Sequence, residues 1–271
     1  VAQSLLPLVC GRKIERCEVI HKIATRPQKA ATLYAGAEGQ RIVDVERRGK
    51  YLLLRLERGV VVMHFRLDGQ LVWFDAGRVS GHIDVALHLP RGTLGFVDRR
   101  HFGRVNFYET PQDSAGLRRL GDEPLRPAFT WQRLAELLGG SRRPVKLFLM
   151  DQTRIAGLGN IYSNEALWRA RLDPRRRTNR LSAAETRRLH KGIVDVLRRA
   201  LECCLNPVPS FRDPEWWFWK ASEALAAEML EKLAARREAE ERASAGANGA
   251  ARAPDPGARW DALVELDASQ I

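Results

Sequence analysis

The spacing of apolar residues changes twice along the chain. The opening VAQSLLPLVC reads as the later part of an amphipathic helix, with Gly11 as its stop signal. From Lys13 to about Tyr108 apolar residues occur in short runs or alternate with polar ones, as in IVDVE, KYLLLRLERGVVVMHF, GQLVWF, HIDVALHL and TLGFVD. Glycines at 59, 69, 81 and 92 punctuate these runs. Many short strands at close spacing predict an antiparallel sandwich or barrel.

Past Pro111 the period becomes helical, in TWQRLAELL from Thr130, PVKLFLM from Pro144, NIYSNEALWRA from Asn160 and SAAETRRLHKGIVDVLRRALECCL from Ser182. Thr130 and Ser182 are N-cap residue types, and Ser182 with Glu185 has the spacing of a capping box. A β half therefore precedes a helical half, and the fold class is α+β. After Pro209 an aromatic stretch, SFRDPEWWF, leads into an Ala/Glu/Arg helix. That helix decays into an Ala, Gly and Pro tail of the composition expected of disorder.

At 271 residues the chain has volume for two cores. Its 45 Lys and Arg against 33 Asp and Glu leave a net charge of +12, much of it on Arg, whose planar fork suits phosphate oxygens. A polyanionic partner is expected. No apolar run approaches the roughly 20 residues needed to span a bilayer. No secretory leader pattern is present either, so the cytoplasm is the expected location and no membrane partner is expected. The four cysteines, Cys10, Cys17, Cys203 and Cys204, lack zinc-ligand spacing.

The densest positive stretch runs from Arg169 to Lys191, with nine Arg or Lys against Asp173 and Glu185. A solvated helix face would account for it, but the run is one-signed and follows a glycine turn, which favours nucleic acid. In that turn, AGLGNIY, Gly157 and Gly159 permit close backbone approach and Asn160 begins a helix whose free amides can cradle a phosphate. Alone, this pattern is weak.

Taken whole, LFLMDQTRIAGLGNIYSNEALWRARLDPRR closely resembles the helix-two-turns-helix signature of formamidopyrimidine-DNA glycosylases and their endonuclease VIII relatives. The resemblance extends in order to VERRGKYLLLRL, VVMHFRLDGQL, GHIDVAL, FVDRRHFGRV and LGDEPL, and covers Val1 to about Phe218. It implies a β-sandwich glycosylase domain over 1–110, a linker over 111–125 and a helix-two-turns-helix DNA-binding domain over 126–220. The remainder, 221–271, is the Ala/Glu/Arg helix and tail.

The resemblance also implies roles. Lys50 contacts phosphate near the lesion and assists elimination. Leu67, standing where the family has methionine, wedges into the space left by an extruded base, although Arg66 and Asp68 replace small residues beside it. Arg100 faces the orphaned base, and Phe102 is a second wedge. His101 replaces an arginine and either contacts phosphate or is an uncommitted loop residue, while His82 is expected to be structural. Asn160, with Gly159, Tyr162 and Arg142, grips the DNA backbone.

Family members begin Met-Pro-Glu-Leu-Pro-Glu-Val-Glu, with the proline amine as nucleophile and the glutamate as acid/base. Those residues precede the segment that matches from Val1, so the chain as written is expected to bind but not to catalyse. Val1 carries a formal amine nucleophile, but its expected place in the first helix is away from a cleft. A four-cysteine zinc ribbon, common in the family, is not expected, and no other cofactor is. The expected function is that of a monomeric base-excision repair glycosylase and AP lyase acting on formamidopyrimidines or 8-oxoguanine in duplex DNA. The alternatives are a non-catalytic damaged-DNA-binding protein of the same fold and, disfavoured by the β half, an RNA- or ribosome-associated protein.

Overall fold

The computed structural model describes residues 2–75 and 81–205, with side chains described as far as residue 201. The expectations for Val1, a zinc ribbon and everything beyond residue 205 lie outside the described residues, as do the side chains of Cys203 and Cys204.

The first helix, α1 (Ala2–Val9), buries Leu5 and Val9 one turn apart. It stops at Gly11, whose φ of +76° lies in the left-handed region. The Gly11 amide then donates to the carbonyl of Ile42 and docks the helix end on the first long strand.

Eight strands follow: β1 (Arg16–Val19), β2 (Ile42–Arg48), β3 (Tyr51–Leu56), β4 (Val60–His64), β5 (Gln70–Asp75), β6 (Val85–Leu89), β7 (Gly92–Val97) and β8 (Arg104–Tyr108), with the helix α2 (Ala30–Ala37) between β1 and β2. They form two four-stranded antiparallel sheets, β1-β6-β7-β5 and β2-β3-β4-β8. The expectation of a sandwich or barrel thus resolves to two separate sheets. Their shared core takes Leu52, Leu54, Val61 and Met63 from one sheet and Leu87, Leu94 and Phe96 from the other. Burial of each such side chain stabilises by about 1.5–3 kcal/mol.

The run YLLLRL in β3 is apolar rather than alternating because both of its faces are covered. Leu52 and Leu54 face the shared core, whereas Leu53, paired with Val62, packs with Leu117 on the opposite face. Leu117 belongs to the short helix α3 (Ala115–Arg118).

The helical part comprises α4 (Trp131–Gly139), α5 (Val145–Met150), α6 (Asn160–Ala170) and α7 (Ala183–Leu205). Both predicted caps form: the Arg133 amide donates to Thr130 Oγ1 at 3.2 Å. In α7 the Ser182 amide donates to Glu185 at 2.8 Å while the Glu185 amide donates to Ser182 Oγ at 3.3 Å, a complete capping box. A Cβ on Gly192 would stand 2.8 Å from the Ala166 carbonyl oxygen, so α7 crosses α6 at a distance only glycine allows.

By internal contacts the described residues divide into those of 1–129 with 148–159, and those of 130–147 with 160–205. This differs from the expected division at residue 126, because residues 152–156 pair along their backbone with 121–122. Gly121 and Asp122 donate to the carbonyls of Gln152 and Arg154, and Ala156 donates back to Asp122. Those hydrogen bonds hold the first part of the motif segment in the β unit. No described helix is long and apolar enough to cross a membrane.

Candidate nucleic-acid interface

Register puts three polar side chains at one end of the β2-β3-β4-β8 sheet. Tyr51 of β3 lies opposite His64 of β4, which lies opposite Arg104 of β8, and directly opposed residues project to the same face. Lys50 precedes Tyr51 at the β2–β3 turn, and the Tyr51 and His64 rings meet edge to face at 4.6 Å.

This end is crowded with positive charge. Burial first, then Arg66 and Lys50, push His64 down to about 4, so the imidazole is neutral near pH 7. Its Nδ1 accepts from the Arg66 amide at 3.0 Å, which places the ring proton on Nε2. Lys50 is held below the ordinary lysine value by desolvation and by Arg66. Arg104 is likewise lowered by desolvation, then by Arg66 and Arg26. An anion seated here would relieve that repulsion, which is what a phosphate-binding site requires.

Two loops carry the remaining predicted residues of the β unit. In the β4–β5 turn Arg66 has a φ of +56°, in the left-handed region that favours small residues. Beyond it Leu67 is 58% exposed, an apolar tip at the surface. In the β7–β8 loop Phe102 is 47% exposed, and the Arg100 guanidinium lies over its ring at 5.1 Å. Arg100 also pairs with Asp68 across 3.3 Å, which joins the two loops.

The base of the β7–β8 loop is fixed. Asp98 accepts from the amides of Arg100 and Gly103 at 3.0 and 2.5 Å, and Arg104 donates to the carbonyls of His101, Phe102 and Gly103 at 3.0, 2.9 and 2.6 Å. His101, with a φ of +56°, turns its Nδ1 to within 2.9 Å of Asp84. It is therefore committed to a carboxylate rather than idle in the loop. His82 approaches the same Asp84 oxygen at 3.3 Å.

The glycine turn sits against Lys50. A Cβ on Gly159 would lie 3.0 Å from Lys50 Nζ. The turn is pinned by Gln152, which donates to the Met150 and Leu158 carbonyls at 2.8 and 2.6 Å and accepts from the Gly157 amide at 2.9 Å. The β2–β3 turn that presents Lys50 is pinned by Glu123, a buried carboxylate that accepts from the Gly49 amide at 2.5 Å and pairs with Arg47 and Arg48 at 2.8 and 3.0 Å. Burial works against the Glu123 carboxylate, yet these donors hold it below the usual range.

In the helical unit Asn160 begins α6 and Tyr162 lies in its first turn, both half-buried. Arg142 is exposed in the loop between α4 and α5. Much of the basic run is engaged within this unit: Arg187 stacks on Trp131 at 4.1 Å, Arg188 donates to the Ala170 carbonyl at the end of α6, and Arg176 pairs with Glu185 at 2.8 Å. Charge density alone thus overstated how many of these cations face a ligand.

Lys50, Leu67, Arg100, Phe102, His101 and Gly159 all fall in the β unit, while Asn160, Tyr162 and Arg142 fall in the helical one. Sequence reasoning missed the residues that set the turns: Glu123, Gln152 and Arg104. LGDEPL drew attention to Glu123 only as part of a joining segment, and Arg104 had no signal beyond its place after a loop.

Residues 1–105 match the family model of the formamidopyrimidine-DNA glycosylase N-terminal domain, and residues 120–206 match its H2TH domain. The chain is 41% identical over 219 residues to the formamidopyrimidine-DNA glycosylase of Symbiobacterium thermophilum, covering 79% of this chain and 72% of that one. It is similar to the crystal structure of the Fpg protein of Thermus thermophilus, with TM-score 0.66, 38% identity and coverage of 74% and 73% of the two chains. It is also similar to the Lactococcus lactis enzyme bound non-covalently to DNA containing an AP site, with TM-score 0.68, 28% identity and coverage of 74% and 78%.

Proposed function

Because the chain belongs to the formamidopyrimidine-DNA glycosylase family, we propose that it is a base-excision DNA glycosylase that removes oxidised purines, formamidopyrimidine or 8-oxoguanine, from duplex DNA and cleaves the abasic site it leaves. The observation that carries this reading is that the turn bearing exposed Leu67 and the loop bearing exposed Phe102 are joined by the Arg100–Asp68 ion pair, with a crowded set of cations on the adjoining strand ends.

Each part has a task in base extrusion. Chemistry on a base requires taking it out of the stack, at a cost of a few kcal/mol that apolar wedges offset by filling the gap. Leu67 and Phe102 are those wedges. Arg100 has a fork of donors with which to hold the orphaned base once it exchanges Asp68 for a base edge. Lys50 neutralises a phosphate next to the lesion. The start of α6, with Gly159, Asn160 and Tyr162, and the exposed Arg142 hold further phosphates and carry no sequence information.

His101 takes a supporting role, holding the loop that bears Arg100 and Phe102 through Asp84. The reading requires no cofactor for the chemical step, and a monomer acting in the cytoplasm is part of it.

The test uses protein expressed from its complete reading frame and a duplex with 8-oxoguanine opposite cytosine. Release of the free base, followed by a covalent adduct with an abasic duplex on borohydride reduction, is the expected result. Tight binding to the abasic duplex with neither release nor adduct would replace the enzyme reading with a non-catalytic damage binder. Equal affinity for single-stranded RNA and abasic duplex DNA would overturn both.

A further inference from the structure

Three histidines and one buried aspartate meet at the edge of the β1-β6-β7-β5 sheet. His21 lies just beyond β1, His82 and Asp84 immediately precede β6, and His101 sits in the β7–β8 loop. One ligand atom from each lies within 4.8 Å of every other. The His21 ring stands 4.9 Å from that of His82 and 4.6 Å from that of His101.

We propose that these four side chains form a divalent transition-metal site, with zinc as the ion their donors suit best. Three imidazoles and one carboxylate are a borderline donor set, which matches zinc, copper or nickel and not calcium or magnesium. A tetrahedral zinc ion with bonds of about 2.0–2.2 Å needs donors roughly 3.3 Å apart. His82 Nε2 and His101 Nδ1 are already 3.3 and 2.9 Å from the same oxygen, Asp84 Oδ1. The remaining separations are within 4.8 Å, and all three imidazoles reach the surface.

The carboxylate is arranged as a ligand with an outer partner. Asp84 is fully buried, and its other oxygen accepts from the Asp98 amide at 2.9 Å, so Oδ1 is presented to the histidines. The backbone fixes the cluster further: the His21 amide donates to the Asp84 carbonyl at 3.2 Å, and the His101 amide to the Asp98 carbonyl at 3.0 Å. The φ of +56° at His101 turns a bulky side chain back toward Asp84, a conformation that is uncommon for a residue other than glycine. Four protein donors leave no open position, so the ion would be structural. It would take the place of the hydrogen bonds between the imidazoles and Asp84. Its effect would be to brace the loop that carries Arg100 and Phe102.

The site is tested without DNA, which separates it from the reading of the function. Metal-free full-length protein is titrated with cobalt(II), whose visible d–d absorption reports coordination. We expect a single equivalent to bind without the thiolate charge-transfer band that cysteine ligation would give. His21→Ala, His82→Ala and His101→Ala should each weaken uptake by more than about 100-fold, beyond the 10–100-fold typical of losing an outer-shell partner. His190→Ala, on α7, should leave it unchanged. His82 is exposed enough that its removal leaves the fold intact, and circular dichroism of that variant verifies this. Zinc should also slow amide exchange across residues 99–103. No uptake, uptake unchanged in His82→Ala, or a thiolate band would overturn the proposal, and uptake with unaltered exchange would overturn the bracing role.

Discussion

Gly159 lies so close to Lys50 that a methyl group on its Cα would stand 3.0 Å from the Lys50 ammonium. Because the obstructing atom is the far end of a flexible side chain, Gly159→Ala should move the lysine rather than unfold the protein. Stability should change by less than about 1 kcal/mol, while affinity for an abasic-site duplex falls about tenfold and the salt slope drops by about 1. Lys50→Ala should do the same, and the double variant should be little worse than either single one, since both act on one contact. Fluorescence anisotropy at several salt concentrations measures all of these.

Glu123 presents the Lys50 turn by accepting from the Gly49 amide and two arginines. Glu123→Ala leaves that amide and both guanidinium groups without their acceptor. It should cost about 2–3 kcal/mol in a denaturant titration, less than the loss of a fully buried pair because the arginines reach solvent. The folded carboxyl is lowered below its unfolded value, so its stabilisation is complete above the unfolded value and is lost as pH falls through the folded one. The acid limb of the wild-type stability curve should therefore flatten in Glu123→Ala.

His64 makes a separate contribution on the same side. Its folded value of about 4 lies below the ordinary value of 6.5, so the unfolded state binds the proton more readily. The stabilisation is present above pH 6.5 and is lost as pH falls toward 4, by at most about 3–4 kcal/mol. Removing the nearby charge with Arg66→Gly should raise the titration midpoints of both His64 and Lys50, read by NMR. An unchanged His64 midpoint would mean that Arg66 does not act on it.

Leu67 and Phe102 are both exposed, so Leu67→Ala and Phe102→Ala should each shift stability by less than about 1 kcal/mol. Both should reduce the extrusion of a target base, seen as a smaller rise in 2-aminopurine fluorescence next to an abasic site. A full fluorescence response in the double variant would remove the wedge role from both residues.

Much of this was legible along the chain. Thr130, Ser182 and Glu185 cap their helices as their spacing predicts, because a cap is a contact within one turn. Leu67, Arg100 and Phe102 stand out by motif, and all three are exposed. Arg187, Arg188 and Arg176 were legible only as charge. Their stacking on Trp131, capping of α6 and pairing with Glu185 depend on helix packing that a count of cations does not contain.

By itself, then, the sequence determined the main strands and helices, two helix caps and the exposed apolar and basic residues of the motifs, since these follow from local period and residue type. Only the tertiary structure decided that Glu123 would close on Gly49 and that His21, His82, Asp84 and His101 would share one point. Those meetings join segments far apart in the chain. They are set by strand register, by the left-handed turn at His101 and by which face of each sheet is buried, relations that no short stretch of residues encodes.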